Sequence, residues 1–369
     1  MREDAQIAGM EPEMREWEKN IRQVVPYVPG EQPNLPDMVK LNTNENPYPP
    51  APGVLKALEE FNVDKLRLYP DPTSIILGNV LADYYKVGTD QVFVGVGSDD
   101  VLSMAFLTFF NSNLPILFPD ITYSFYDVWA GLYKIPYETP ALDETLRIKK
   151  EDYYKENGGI VIANPNAPTS VCEDLSFIRD ILEHNKRSIV IVDEAYIDFG
   201  GTSAMELIKE YDNLLVVQTF SKSRSMAGMR IGYAIGHSDL ISALHNVKYS
   251  VNSYTMNQPS LYLGVEAVKD DRYFKECINK IVNTREYVIE EMKKLGFSMP
   301  ESKANFIFAT HEFIPAAEIF AALRTKNIFV RYFNKPRINN YLRITIGTEE
   351  EMKILLDFLK EYVRSKNNS

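Results

Sequence analysis

Three stretches of this chain are apolar at almost every position and then break off into polar residues: "GIVIANP" (159–165), "SIVIVDEAY" (188–196) and "NLLVVQTF" (213–220). A strand with one wet face alternates apolar and polar side chains, because successive residues point to opposite faces. A strand that is Val and Ile throughout must be covered on both faces, as in a parallel sheet with helices above and below. Shorter runs, "QVFVG" (91–95), "PILFP" (115–119) and "RIGYAIG" (230–236), extend the series, and helical patterns such as "LSFIRDILEHNK" (175–186) fall between them. The expected fold is α/β, with a large domain over 41–262 built on a mostly parallel sheet flanked by helices.

The last third changes character. A long amphipathic helix over 273–297, stopped near Gly296, precedes the short strand patterns "NFIFAT", "IFVRYF" and "YLRITIG" and a closing helix. That reads as a smaller α+β domain over 263–369. Residues 1–40 read as an arm packed on the small domain: an amphipathic helix or arm to about residue 25, then the Pro-rich, extended "VVPYVPGEQPNLPD".

Charge narrows the partners. The 369 residues carry a net charge of −11. Without massed Lys and Arg, nucleic acid and anionic membrane surfaces are poor partners. The first twenty residues are charged throughout and lack the apolar core of a secretory signal. The longest apolar run, "VLSMAFLTFF", is about half the roughly 20 residues a membrane span needs. Cys172 and Cys277 read as small apolar residues in a reducing compartment. The expectation is a soluble cytoplasmic protein. No metal is expected, since His184, His237, His245 and His311 have no ligand spacing, and the phosphate-loop pattern G-x-x-x-x-G-K-[ST] is absent.

In open α/β sheets ligands bind beyond the carboxyl ends of the strands. Here those ends carry Gly97-Ser98-Asp99 at a helix start, then "NPNAPTS", then Asp193 with Tyr196, then Thr219, Ser221 and Lys222. A lysine amine condenses with a carbonyl compound. A buried carboxylate such as Asp193 needs a cationic partner. Gly97 and Ser98 at a helix N-terminus offer backbone N–H groups to an anion, and Arg230 adds a fork suited to phosphate. One small molecule meets all these demands: pyridoxal 5′-phosphate, with its aldehyde, ring nitrogen, phenolic oxygen and phosphate.

The motifs "LNTNENPYPP" (41–50), "YPDP" (69–72), "GVGSDDVL", "ANPNAPTS", "VDEAYIDF" (192–199), "TFSKSRSMAGMRIGY" and "LRITIGT" (342–348) run in order along nearly the whole chain. Together they resemble the fold-type I pyridoxal-phosphate enzymes, and specifically the histidinol-phosphate aminotransferases. The resemblance implies that Lys222 anchors the cofactor and shuttles the substrate proton, that Asp193 pairs with the pyridine nitrogen, and that Tyr196 bonds the phenolic oxygen. It implies that Tyr123 stacks on the ring and that Gly97, Ser98, Asp99, Thr219, Ser221 and Arg230 surround the phosphate. Tyr69 reaches that phosphate from a neighbouring subunit, which implies a homodimer with shared active sites. Arg343 binds the amino-acid carboxylate, Arg331 and Tyr27 the phosphate of the substrate, and Asn46 the substrate.

Three departures from the family pattern bear on the site. Ala167 stands where an amide is usual, so the cofactor contact is assigned to Asn166. Ser170 replaces a glycine, which costs strain if that backbone needs positive φ. Arg224-Ser225 replaces an aromatic and a glycine, which could alter the mouth of the site. Two rivals share the cofactor: a phosphothreonine decarboxylase and an aminotransferase for aromatic amino acids. A ligand-sensing regulator on the same fold is a third, but it would bring a basic DNA-binding domain ahead of the fold, and the segment before the first motif is short and acidic.

Overall fold

The computed structural model describes residues 15–367. The expected arm before residue 15 lies outside them, and Glu16–Asn20 forms a single 3-10 turn. In chain order the first half contains β1 (Val39–Lys40), α1 (Pro52–Glu59), α2 (Ile75–Tyr85), β2 (Val92–Gly95), α3 (Ser98–Phe109), β3 (Ile116–Leu117), α4 (Tyr126–Tyr133), β4 (Tyr137–Glu138), β5 (Gly159–Ala163) and α5 (Leu175–His184). The second half contains β6 (Val190–Asp193), β7 (Leu214–Thr219), β8 (Gly232–Gly236), α6 (Ser238–Val251), α7 (Gln258–Lys269), α8 (Asp271–Lys293), β9 (Phe297–Ser298), β10 (Phe306–His311), α9 (Ala316–Arg324), β11 (Ile328–Phe329), β12 (Arg331–Tyr332), β13 (Leu342–Thr345) and α10 (Glu349–Asn367).

The main sheet has seven strands in the order β2-β8-β7-β6-β5-β3-β4. The apolar runs became its centre, and each run divides between two cores. Ile160, Ile162, Val190, Val192, Leu214 and Val216 point to one face, where they meet α2, α5 and α7. Val161, Ile191, Leu215 and Val217 point to the other, where they meet α3, α4 and α6. This is the physical reason the runs do not alternate.

β8 is the exception to the parallel pattern. It runs antiparallel to both neighbours, with Thr219 opposite Gly232 and Gly95 opposite Gly232 from the other side. Reversal has a useful consequence. The start of β8, and with it Arg230, lies at the same sheet edge as the ends of β2 and β7.

The C-terminal residues form a second core around a four-stranded antiparallel sheet, β12-β13-β10-β9, packed on α8 and α10 through Val288, Met292, Ile307, Ile344, Leu355 and Leu359. The run "IFVRYF" is not one strand. β11 pairs in parallel with β1, and β12 pairs with β13, with Val330 between. The arm is shared as well. Arg324 pairs with Glu31, which ties this part to the C-terminal unit, whereas Tyr27 stacks on Phe125 at 4.2 Å, beside α4.

Candidate active site

The strand ends converge on one cavity of about 300 Å³ between the two sheets. Ser98 and Asp99 after β2, Asp193 and Tyr196 after β6, and Thr219, Ser221 and Lys222 after β7 all line it. So do Tyr123, Arg230, Tyr27, Arg331 and Arg343. Residues as far apart in sequence as Tyr27 and Arg343 therefore share one site through topology alone.

Lys222 leaves β7 into a short loop. Its Nζ donates to the Thr43 carbonyl at 3.1 Å and lies 5.7 Å from the centre of the Tyr196 ring. Asp193 is 5% exposed. Its carboxylate accepts hydrogen bonds from Tyr126 Oη at 2.7 Å and the Ala195 N–H at 3.3 Å. Both partners are neutral, so burial wins and pushes its pKa up to about 6. Tyr126, itself fully buried on α4, was not singled out in the sequence. Nothing in its neighbourhood marks it, because it is one aromatic among many that line a helix.

Three groups form an anion cradle. Gly97 caps α3 with φ +84°, and a Cβ there would come within 2.5 Å of Arg230 Nη2. Only glycine lets the guanidinium lie over the helix N-terminus. Arg230 Nη1 reaches Ser221 Oγ at 3.4 Å, and Ser221 accepts from Thr219 Oγ1 at 3.0 Å. Asp99 is an anion in this cradle. It is held by the Tyr123 hydroxyl at 2.7 Å and by Arg230 Nη2 at 3.4 Å, so it orients those two groups.

A second basic centre faces the first. Arg331 and Arg343 are directly opposite each other across β12 and β13. Arg343 donates to the Asn42 carbonyl at 3.0 Å and lies 5.5 Å from the Phe306 ring, while its buried Nε has no protein partner. Burial, and secondarily Arg331, lowers the Arg343 pKa.

Besides Gly97, which lies under Arg230, Asn166 and Asn46 do not line the cavity, nor does Tyr69, whose expected place is a neighbouring subunit's site. Asn166 turns into its own loop, where Nδ2 donates to the Ile121 carbonyl and Thr169 Oγ1 at 2.9 Å and Oδ1 accepts from Thr122 at 2.8 Å. With both ends of its amide engaged, Ala167 and Pro168 face the cavity instead. Asn46 faces the lysine loop from behind, with Nδ2 donating to the carbonyls of Lys222 (3.1 Å) and Ser223 (3.2 Å). Tyr69 is 80% exposed, against Tyr254 at 4.7 Å. Asn44, in contrast, lines the cavity and bonds Tyr196; nothing in the pattern of "NTNEN" distinguishes the asparagine that does so.

The other two departures have clear geometry. Ser170 adopts φ 65° and its buried hydroxyl has no partner, so the residue bears the strain a glycine would avoid. Arg224 points away from the cavity. It donates to the Ala267 carbonyl at 2.8 Å inside a cage of Phe274, Tyr84 and Phe220, and it does not line the cavity.

Comparison with known proteins fits this arrangement. Residues 36–359 match the family model for aminotransferase class I and II. The chain belongs to this family. Among its relatives, the histidinol-phosphate aminotransferase of Clostridium botulinum (strain Langeland) is 52% identical over 94% of this chain and 98% of that protein. The histidinol-phosphate aminotransferase of Lactococcus lactis subsp. cremoris (strain MG1363) is 50% identical over 96% of this chain and 99% of that protein. A solved structure of histidinol-phosphate aminotransferase from Sinorhizobium meliloti, in complex with pyridoxal 5′-phosphate, shares the fold of this aminotransferase with a TM-score of 0.80. It covers 88% of this chain and 90% of its own, at 22% identity. Among the described residues, no helix of the aminotransferase is long and apolar enough to cross a membrane.

Proposed function

We propose that this aminotransferase holds pyridoxal 5′-phosphate in the cavity at the strand ends and transfers an amino group between histidinol phosphate and 2-oxoglutarate. The reading places it in histidine biosynthesis, in the cytoplasm, as a homodimer in which Tyr69 completes the neighbour's site. It takes 41–262 as the cofactor-binding domain, 263–369 as the small domain and 1–40 as the arm.

The residues present suit the cofactor. Asp193 is a buried carboxylate whose partners are neutral, and a protonated ring nitrogen supplies the missing cation. The N-terminus of α3, Thr219, Ser221 and Arg230 suit its phosphate, Tyr196 its phenolic oxygen, and Lys222 its aldehyde. When bound, the cofactor supplies an electron sink that acidifies the hydrogen on the carbon bearing the substrate amine. Lys222, set at the Thr43 carbonyl beside Tyr196, takes that proton and returns it at the far side of the reaction. Asp193 keeps the sink charged. Tyr123, tied to Asp99, covers the ring face.

The observation that carries the substrate class is the Arg331–Arg343 pair. Like charges directly opposite on a sheet destabilise it, and burial of an unpartnered guanidinium nitrogen adds to the cost. An anion between them repays both. Arg343 takes the carboxylate of glutamate, and Arg331 with Tyr27 takes the phosphate of the other substrate. About half of all residues are shared with relatives named for that substrate. The test is to mix cofactor-loaded protein with histidinol phosphate and follow the cofactor absorbance. Bleaching that 2-oxoglutarate restores supports the reading. Carbon dioxide release from phosphothreonine, or a response to aromatic amino acids alone, contradicts it.

A further inference from the structure

The hydrogen bonds around Asn44 form a directed chain that ends in the cavity. Asn44 and Thr345 are 1% and 3% exposed, so every polar hydrogen there needs an acceptor. The Asn44 backbone N–H donates to Thr345 Oγ1 at 3.0 Å. The Thr345 hydroxyl in turn gives its own proton to Asn44 Oδ1, 3.1 Å away. With Oδ1 fixed as an acceptor, the amide nitrogen faces the other way and donates to the Tyr196 hydroxyl oxygen at 3.0 Å. Turning the amide over would take that acceptor from the buried Thr345 proton. The backbone is pinned too. Asn44 sits at φ 55°, a region asparagine tolerates, and its carbonyl accepts from Asn305 Nδ2 at 3.0 Å.

A tyrosine hydroxyl has one proton. Because Asn44 occupies the oxygen of Tyr196 as an acceptor, that proton is directed elsewhere, and Tyr196 lines the cavity beside Lys222. We infer that Asn44, locked by Thr345, is a positioning residue that makes Tyr196 a hydrogen-bond donor toward an oxygen of the bound cofactor. This inference rests on the cofactor reading above. It gives "NTNEN" a purpose separate from substrate contact, and it couples β13 of the small sheet to the loop after β6 of the large one. The charged and titratable groups that face Tyr196 are Lys222 after β7, Tyr123 in the loop before α4, Tyr126 at the start of α4, and Arg343 on β13.

The test is a spectroscopic pH titration of the cofactor-loaded protein. A donor to the cofactor's phenolic oxygen favours its deprotonated form, so withdrawing the donor raises the apparent pKa of the absorbance change. Asn44→Asp keeps the size and the left-handed backbone but offers Tyr196 an acceptor, which turns the tyrosine proton away from the cavity. Tyr196→Phe and Asn44→Asp are each expected to raise the apparent pKa by about 1–2 pH units. The double variant is expected to shift no further than Tyr196→Phe, because both changes remove the same proton. Additive shifts would mean that the new carboxylate acts by charge alone and would overturn the inference, as would an unshifted Asn44→Asp. An unshifted Tyr196→Phe would instead sink the cofactor reading itself. If Asn44→Asp does not accumulate as folded protein, Thr345→Val serves. Deleting the proton that fixes the amide is expected to raise the pKa in the same direction and Thr345→Ser to restore it, and no change in Thr345→Val would overturn the lock.

Discussion

Asp193→Asn should have opposite effects with and without the cofactor. An ordinary aspartate titrates near 3.8, and burial holds this one to about 6. The folded state binds the proton more tightly than the unfolded chain, so the group's contribution to stability is greatest below about pH 4 and is lost as pH rises through about 6. Relative to low pH, the raised pKa costs the folded state about 3 kcal/mol at pH 7.5, where the buried group is charged, and about 1 kcal/mol at pH 4.5, where it is protonated in the folded protein but ionised in the unfolded chain. Asparagine is isosteric and still accepts from Tyr126, so it removes the charge and little else. In cofactor-free protein, urea unfolding at pH 7.5 should show the variant more stable than wild type by about 1–3 kcal/mol, less than the full amount because the new NH₂ group also needs a partner. At pH 4.5 the advantage should shrink to 1 kcal/mol or less on the same reasoning (about a third of the full term). Glu194, next in the chain and also raised by burial, to about 7, is common to both proteins and cancels. With cofactor present the order should reverse, since the ring nitrogen loses its counter-charge, and cofactor affinity should fall by at least about 10-fold. Equal pH dependence of the two cofactor-free proteins would refute the reasoning.

Other outcomes follow from single contacts. Arg331→Ala should weaken use of the phosphorylated substrate by about 10–100-fold in kcat/KM while leaving glutamate less affected, as steady-state kinetics with each substrate will show. Gly97→Ala drives a Cβ into Arg230, and it should loosen cofactor binding more than about 10-fold by equilibrium dialysis. Ser170→Gly removes left-handed strain and a buried hydroxyl without a partner, so it should raise stability by about 1 kcal/mol in thermal unfolding.

Much of the site could be read from sequence because its residues sit at fixed offsets from strand ends. Asp193 closes β6 and Lys222 follows β7 by three residues, and a buried apolar run announces each. The anion cradle was legible for the same reason, since Gly97 and Ser98 open a helix after a strand. Direction was harder to read. After Arg230, "IGYAIG" has no charged residue in either orientation, so the reversal of this strand, which carries Arg230 to the right edge, left no trace in the residue pattern. Side-chain rotation was also hidden. In "NPNAPTS" the loop turns Asn166 inward and Ala167 outward, and in "NTNEN" Asn44 meets Tyr196 while Asn46 meets the lysine loop. Those choices depend on partners such as Thr122 and Thr345, which are 44 and 301 residues away. Tyr126 is a further case: a helix aromatic becomes important only because α4 places its hydroxyl on Asp193.

The central claim is that Lys222 is the amine that holds the cofactor. Borohydride reduction of the cofactor-loaded protein, proteolysis and mass spectrometry will identify the modified side chain. The account predicts the cofactor mass on the peptide containing Lys222, and on no peptide of Lys222→Ala. Modification of another lysine, or none at all in protein that still turns over, would contradict it.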